Sequence, residues 1–389
     1  MRIQNYKVVE MAKGFRSRFF SEYAANILPK IQKYEDERKS KYGILMIIEI
    51  ILVVFSLFVM FILISMFSGS PFVSYVSDTG LMGFLFVILS PLLIIVSLIF
   101  IFWLPRLFDK NFKTKLKEAC IFDFLPIFGD IRWFNKYLPE PLEIDIGLSE
   151  LYSFVNCKFE DAFTGVYNNV QYTAAETLLT TYVHTKNGRR EVEVFRGIIL
   201  DFPFNKDIKA HTIIEPKLPG TVESATNILI IIAAVVLVAL IIFVPGFWHS
   251  LWTSEDGIEV LFGTVGVFIS AVAAIIGSKK FKKVKLEDVV FDKDYSVKSK
   301  DQVEARYLIT PSFMERFKKL GKAYKSKQIK CALFEEHLMF AISTPKDLFE
   351  VGSIYHPLSD TRQIEVFYNE ISAIFDIIDE FKLNEKIGL

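Results

Sequence analysis

Positions 44–66 of the chain read ILMIIEIILVVFSLFVMFILISM, an apolar run with one charged residue, Glu49. About 20 helical residues are enough to cross the hydrocarbon core of a bilayer. The run is apolar on every side, whereas a helix at the surface of a soluble domain keeps one polar face. We therefore predict a transmembrane helix at this position.

Three further runs of the same character lie at 81–104, 228–247 and 258–277. The four runs form two pairs with short loops between their members, which predicts two transmembrane hairpins. Hydrophobic residues make up 52% of the 389 residues, and Phe alone occurs 38 times. Such an excess of apolar surface is typical of a chain that lies partly in a bilayer. We expect an integral membrane protein with four spans.

Basic residues flank these spans on one side only. They precede the first span, follow the second and follow the fourth, where five lysines are clustered: Lys279, Lys280, Lys282, Lys283 and Lys285. The loops 67–80 and 248–257 contain neither Lys nor Arg. Because Lys and Arg are retained on the cytoplasmic side of a membrane, we expect both termini and the segment 106–227 in the cytoplasm.

The spans divide the chain into five predicted parts. These are a cytoplasmic amphipathic helix, a first hairpin, the first half of a cytoplasmic domain, a second hairpin and the second half of that domain, at 1–42, 43–105, 106–226, 227–278 and 279–389. Because both halves lie on the same side of the membrane, we expect them to fold together. The predicted fold class is α+β, one domain interrupted by the second hairpin.

The domain is expected to contain an antiparallel sheet. The segment 159–214 is rich in β-branched and aromatic residues, and Asn187-Gly188 within it is the strongest short signal for a β-hairpin. A second hairpin is expected from 329–334 and 337–343, with two glutamates between them. Both halves of the domain therefore contribute strands.

Amphipathic helices accompany the predicted sheet. The C-terminal segment has an apolar stripe at helical spacing, formed by Ile364, Phe367, Ile371, Ile374, Ile378 and Phe381. A similar stripe near the N-terminus is formed by Phe15, Phe19, Tyr23, Ile27 and Ile31. The N-terminal helix has basic flanks, so it could lie on anionic lipid, pair as a coiled coil or pack on the domain. We favour packing on the domain.

Few polar groups interrupt the predicted spans. Glu49 is a functional candidate because carboxylates inside membranes are rare, but near the end of a span it can also reach the interface. The interfacial interpretation is favoured. Gly266, Ser270 and Ala274 recur every four residues on the fourth span. Such a small-residue stripe lets another helix approach closely, either the third span or a second copy of the chain.

The sequence contains no recognisable catalytic or cofactor motif. Phosphate-binding glycine loops, the G-x-S-x-G nucleophile motif and the zinc motif H-E-x-x-H are all missing from it. Its three cysteines lie far apart, and its five histidines have no partner at ligand spacing. We predict no metal, no cofactor and no enzymatic activity. Lys+Arg and Asp+Glu both number 45, which disfavours a nucleic-acid partner.

One polar constellation precedes a predicted helix. Asp301, Glu304, Arg306 and Tyr307 lie just before Thr310-Pro311, a cap residue followed by proline at the first helical position. We predict a strand at Ala305–Ile309, which would place the constellation on a strand that leads into the helix. The acid–arginine pair could bind a polar ligand or a partner. The favoured alternative is an internal ion pair and helix cap.

Several local patterns resemble one bacterial family. They are ILPKIQKYEDERK at 27–39, FEDAFTGVY at 159–167, FRGIILDF at 195–202, HTII at 211–214, FDKDYSV at 291–297 and DQVEARYLITP at 301–311. The family is DUF3137, a domain of unknown function. The resemblance implies a membrane-tethered bacterial protein without established activity, and it supplies no catalytic residues. The location that it implies is the bacterial inner membrane.

Two functions are compatible with these features. The favoured one is a membrane-anchored cytoplasmic interaction or sensor protein, a scaffold that binds other proteins, a second copy of itself or anionic headgroups. The five clustered lysines at 279–285 are the predicted headgroup contacts. The alternative is a membrane-embedded enzyme or transporter that uses Glu49 or acids of the cytoplasmic domain.

Overall fold

The computed structural model describes residues 16–67, 81–136, 141–186, 188–217, 281–323, 326 and 328–385. The described residues form two compact units. The first unit draws on Met1–Trp133 and Asp347–Phe375, and the second on Phe134–Lys346 and Asp376–Leu389. The predicted spans 228–247 and 258–277, the stripe of Gly266, Ser270 and Ala274, and the lysines Lys279 and Lys280 lie outside the described residues.

Helices form most of the first unit. A helical segment begins at residue 16, includes a π-helical turn at Tyr23–Ile27 and continues as α1; two long helices and a 3-10 turn follow. Their bounds are Leu28–Gln32 for α1, Glu35–Phe67 for α2, Leu81–Phe124 for α3 and Leu125–Phe128 for the turn. The first two predicted spans lie inside α2 and α3. Both helices are long and apolar enough to cross a membrane.

The apolar parts of α2 and α3 leave large side chains exposed. Ile47, Phe58 and Phe61 of α2 and Ile99 and Phe102 of α3 are each more than half exposed. The two helices contact each other through a polar pair as well, because the hydroxyl oxygens of Ser56 and Ser97 are 2.6 Å apart. The exposed apolar side chains of α2 and α3 are called here the apolar band. Removing this band from water would be favourable by about 25 cal/mol per Å² of apolar surface.

The N-terminal stripe packs on helix α3 and on the C-terminal helix. Phe19, Tyr23, Ile27 and Ile31 are all buried. The ring of Phe19 lies 4.8 Å from that of Tyr368 and 6.1 Å from that of Phe124. The prediction that this helix packs on the protein is therefore confirmed for the described part of the stripe. Phe15 lies outside the described residues.

Residues 347–360, which we call loop 347–360, are held by the polar turns of α2 and α3. From α2, Arg38 Nη1 donates to the carbonyl of Ile354 at 2.8 Å, and Glu35 accepts from the backbone N–H of Leu358 at 3.0 Å. From α3, Asp109 accepts from the N–H of Ile354 at 3.0 Å. The same helix provides two lysines for ion pairs, Lys113 with Asp347 and Lys117 with Glu350.

One nine-stranded sheet dominates the second unit. Its strands are Asp130–Asn135 (β1), Asn156–Tyr167 (β2), Val170–Thr185 (β3), Gly188–Pro203 (β4), Thr212–Pro216 (β5), Lys282–Val284 (β6), Tyr295–Ser299 (β7), Ile329–Phe334 (β8) and His337–Ser343 (β9). Their order is β1-β2-β3-β4-β9-β8-β5-β7-β6. The pairs from β2 to β6 in this order are antiparallel. The sheet therefore combines strands from both sides of residues 218–280 in the sequence, and β5 lies between β8 and β7.

The predicted hairpins are confirmed. Asn168 and Asn169 connect β2 to β3 with φ of 48° and 64°, a left-handed conformation that Asn tolerates better than most residues. Strands β3 and β4 pair up to Thr185 and Gly188, at the Asn-Gly position. Strands β8 and β9 have the bounds expected from the sequence. Short-range turn signals are thus sufficient to place these connections.

The structure describes five further helices. They are Pro141–Leu148 (α4), Val289–Asp294 (α5), Gln302–Leu308 (α6), Pro311–Ala323 (α7) and Thr361–Phe381 (α8). The predicted apolar stripe of α8 is buried. Its last turn packs in the second unit, where the ring of Phe381 lies 5.1 Å from Phe313 and 5.2 Å from Phe340.

Two local predictions are wrong. The segment predicted as a strand at Ala305–Ile309 is mostly helix α6, because Asp301 caps it by accepting from the N–H of Val303 at 2.8 Å. The segment 112–134 looks helical in the sequence, with broken periodicity around Pro126 and Gly129, but the helix ends at Phe124. Gly129 then takes a φ of 101°, and strand β1 follows. In both places an apolar run of a few residues fits a strand and a helix equally well.

Candidate functional site

The predicted constellation at 301–307 is divided among separate local contacts. Asp301 caps α6, and Glu304 accepts from the backbone N–H of Lys209 at 2.5 Å. Arg306 donates to the carbonyl of Lys285 at 3.3 Å. Lys206 lies over the ring of Tyr307 at 4.6 Å. The cap is as expected, but no ion pair joins Arg306 to Asp301 or Glu304 within the ranges that the structure describes.

The described lysines of the basic cluster lie at an edge of the sheet. Lys282 and Lys283 are exposed on β6, the last strand in the sheet order, and Lys285 is exposed just after it. Exposed lysines protect an edge strand from pairing with another chain. Exposed apolar side chains follow in sequence, with Val289 at 79% and Val290 at 61% exposure. Among the described residues, this region therefore combines positive charge with exposed apolar side chains.

Glu49 is half-buried on α2. Burial raises the pKa of the Tyr355 hydroxyl, and the negative charges of Asp109 and Glu49 raise it further. The ring of Tyr355 also makes an edge contact with Tyr42 at 6.3 Å. The charge of Glu49 thus acts on a tyrosine of loop 347–360.

The structure brings together a group that the sequence analysis does not predict, the cluster of Asp145, Asp201 and His337, called here the His–Asp cluster. Nδ1 of His337 lies 3.1 Å from Oδ1 and 3.0 Å from Oδ2 of Asp201. One potential ligand atom from each of the three side chains lies within 4.8 Å of the others. The imidazole stacks on the ring of Phe334 at 5.2 Å with an angle of 13° between the planes.

Strand register explains how the cluster forms. His337 is the first residue of β9 and pairs with Pro203 of β4, two positions beyond Asp201. Residues two apart on a strand share a face, so His337 and Asp201 are diagonal neighbours. The backbone N–H of Phe204 donates to the carbonyl of Glu336 at 2.7 Å and fixes the strand ends. Asp145 is added from helix α4.

The His–Asp cluster carries an excess of acidic groups. Burial raises the pKa of Asp201, although the bond from His337 opposes this effect. Burial also raises the pKa of Asp145, and the nearby charges of Asp201 and Glu335 add to the rise. The bond to Asp201 raises the pKa of His337. One imidazole therefore faces three carboxyl groups in a partly buried place.

Sequence spacing cannot reveal this cluster. The prediction that no histidine has a partner at ligand spacing concerns positions along the sequence, whereas in space His337 lies beside two aspartates. Its partners come from a helix and a strand that are far away along the chain. Their approach depends on the pairing of β4 with β9. His211, by contrast, is buried and lies 2.9 Å from the carbonyl of Ser149, a structural contact.

Residues 193–383 match the family described as "Protein of unknown function (DUF3137)". This segment belongs to the DUF3137 family. The resemblance seen in the sequence is confirmed over these residues. Within the chain, the DUF3137 segment includes Asp201 and His337, whereas Asp145 precedes it.

Other comparisons add little to the DUF3137 assignment. No curated protein matches the chain. Among solved structures, the crystal structure of the mycobacterial trehalose monomycolate transport factor A, TtfA, is similar over 67% of this chain and 91% of that chain. The identity is 5% and the TM-score is 0.28. This likeness is too slight to assign a fold or a function.

Proposed function

We propose that the chain is an integral protein of the bacterial inner membrane that holds a cytoplasmic domain for interaction with protein partners and anionic lipid headgroups. It crosses the membrane four times in two hairpins, with both termini in the cytoplasm. The observation that carries this proposal is the exposed apolar band of α2 and α3. Side chains such as Phe61 and Phe102, each 67% exposed, are stable in lipid and unfavourable in water.

The polar ends of α2 and α3 support a role beyond simple tethering. Arg38, Asp109 and Lys117 hold loop 347–360 directly beyond the apolar band. A change in the packing of the two helices would therefore move this loop. Such a connection suits a scaffold or sensor whose cytoplasmic part responds to the state of the membrane anchor.

The exposed lysines support contact with anionic headgroups. Lys282, Lys283 and Lys285 follow the predicted fourth span closely, and each basic residue near an anionic surface contributes about 1 kcal/mol. Val289 and Val290 are exposed a few residues later. Basic and apolar side chains together are the composition of surfaces that lie in the interfacial region of a bilayer.

The headgroup contact can be tested on the purified full chain. Thermal unfolding would be followed in micelles of zwitterionic detergent with increasing anionic phospholipid. We expect the lipid to raise the midpoint for the wild type and to raise it much less for a triple variant with Lys282→Gln, Lys283→Gln and Lys285→Gln. The matched control removes three exposed charges from the β3–β4 hairpin, Lys186→Gln, Arg189→Gln and Arg190→Gln. Equal shifts for all three proteins would exclude the headgroup contact.

The proposed contact with a protein partner can be tested at helix α6, which contains Glu304, Arg306 and Tyr307 of the predicted constellation. Val303 is 76% exposed on α6, and Ile144 on α4, at 63%, provides a control position. A photo-crosslinking amino acid would be placed at either position in the full chain in intact membranes. We expect one reproducible crosslinked product from position 303 and none of that mass from position 144. The same products from both positions, or none from either, would contradict an interaction surface at α6.

A further inference from the structure

The His–Asp cluster has the donor set of a transition-metal site. It offers one imidazole nitrogen and carboxylate oxygens from two aspartates. Ions such as Mn²⁺, Fe²⁺ and Zn²⁺ accept both nitrogen and oxygen ligands, whereas Ca²⁺ and Mg²⁺ bind oxygen almost exclusively. The imidazole nitrogen of His337 therefore favours a transition-metal ion over Ca²⁺ or Mg²⁺, which a purely acidic group would not do.

The distances within the cluster are close to those of ligands around one ion. Imidazole and carboxylate ligands lie about 2.0–2.2 Å from Zn²⁺, so two ligand atoms on one ion are about 3–4 Å apart. Nδ1 of His337 and the carboxylate oxygens of Asp201 are already 3.0–3.1 Å apart, and the whole set lies within 4.8 Å. Small rotations of Asp145 on helix α4 would complete a three-residue set, with water in the remaining positions.

The ligands are also supported from behind. Asp201 is buried near the end of β4, and the stacked ring of Phe334 fixes the plane of the imidazole. Preorganised ligands of this kind are typical of metal sites. A divalent cation would balance the two carboxylates of Asp145 and Asp201, whereas one imidazole carries at most a single positive charge. We propose that Asp145, Asp201 and His337 bind one divalent transition-metal ion.

This site is independent of the proposed membrane function, because its three residues belong to the second unit and none of them lies in the basic cluster or on α6. It adds a bound cofactor that the sequence analysis excluded. The ion would link α4 to the two strands β4 and β9. Its loss is expected to lower the stability of this part of the sheet without affecting the apolar helices.

The test uses the purified full chain, stripped with EDTA and then titrated with Mn²⁺ or Zn²⁺ alone. Binding is measured by calorimetry and, for Mn²⁺, by loss of the spectrum of the free ion in electron paramagnetic resonance. We expect one ion per chain and a higher thermal midpoint. Mg²⁺ should bind at least tenfold more weakly, because it disfavours the imidazole nitrogen.

Three single variants define the ligands: Asp145→Asn, Asp201→Asn and His337→Gln. Each should weaken binding by at least tenfold, whereas His184→Gln, on the exposed β3–β4 hairpin, should leave it unchanged. Asp145→Asn keeps the test decisive if the strand variants fail to fold, since Asp145 is half-buried on a short helix. A wild type that binds no ion, or that binds it equally well in all three variants, would show a histidine–aspartate pair without metal and overturn the proposal.

Discussion

Two groups of acidic and basic side chains among the described residues differ in charge balance. In the first unit, Nζ of Lys117 lies 2.6 Å from Glu350, and these side chains are only 7% and 15% exposed. In the second unit, Asp145 and Asp201 face a single imidazole, that of His337. Lysine brings one permanent positive charge to the single carboxylate of Glu350, whereas one imidazole, even when protonated, can balance only one of two aspartates. Balanced charges indicate a structural link, and surplus negative charge indicates a place for a cation.

The largest effect is expected from Lys117→Ala. This change leaves Glu350 buried without its cation, and breaking a buried pair in this way costs about 3–5 kcal/mol of the free energy of unfolding. The control is Lys115→Ala, which removes an exposed lysine paired with Glu37 and should cost no more than about 1 kcal/mol. Urea unfolding of the full chain in detergent measures both. Equal losses would show that the Lys117 pair is not a structural link.

Replacing both partners should restore most of this loss. Lys117→Met combined with Glu350→Leu fills a similar volume without any buried charge, and such exchanges are often neutral or stabilising. Oε2 of Glu350 has no hydrogen-bond partner among the described residues, so its removal leaves no donor unpaired. We expect the double variant to lie within about 1 kcal/mol of the wild type in the same unfolding experiment. A double variant as unstable as Lys117→Ala would point to lost packing instead of lost charge.

The effect of Lys117→Ala should also depend on pH. Burial raises the pKa of Glu350, and the charge of Lys117 lowers it. Without Lys117 the pKa in the folded chain rises further above its value in the unfolded chain. Protonation of Glu350 then favours the folded state, so stability is gained as the pH falls through the folded pKa and lost as it rises. The loss in stability relative to the wild type is therefore expected to be smaller at pH 5 than at pH 8. A loss that does not change with pH would exclude Glu350 as its source.

The sequence predicts the features whose signals lie within a few residues. The hairpin signal at 187–188, the hairpin of 329–334 with 337–343 and the apolar stripe of α8 are all local. The structure pairs β3 with β4, pairs β8 with β9 and forms α8. The apolar runs 44–66 and 81–104 likewise lie within two long helices. Periodicity and turn chemistry are sufficient here, because they do not depend on distant residues.

Long-range pairing could not be predicted. Strands β4 and β9 lie side by side although more than a hundred residues separate them in the sequence, and β5 pairs with both β7 and β8. Partner choice in a sheet depends on packing against neighbours more than on intrinsic preference. The His–Asp cluster exists only because of that pairing. The error at α6 has a local origin instead, because a short run of residues there fits a strand and a helix equally well.

The smallest effect on stability is expected in the second group, from Asp201→Asn in the metal-free chain. Burial raises the pKa of Asp201, so its charge is not stabilised there as it would be in a balanced pair. The amide keeps the shape and can still bond His337, so the free energy of unfolding should change by less than about 1 kcal/mol. Asp201→Ala is the matched control, and it should cost about 1–3 kcal/mol because it leaves the imidazole without a partner. If Asp201→Asn were as costly as Lys117→Ala, the carboxylate itself would be a structural requirement and the contrast between the two groups would disappear. If it is nearly neutral without metal but abolishes stabilisation by Mn²⁺, the acids of this cluster serve a ligand and the Lys117 pair serves the fold.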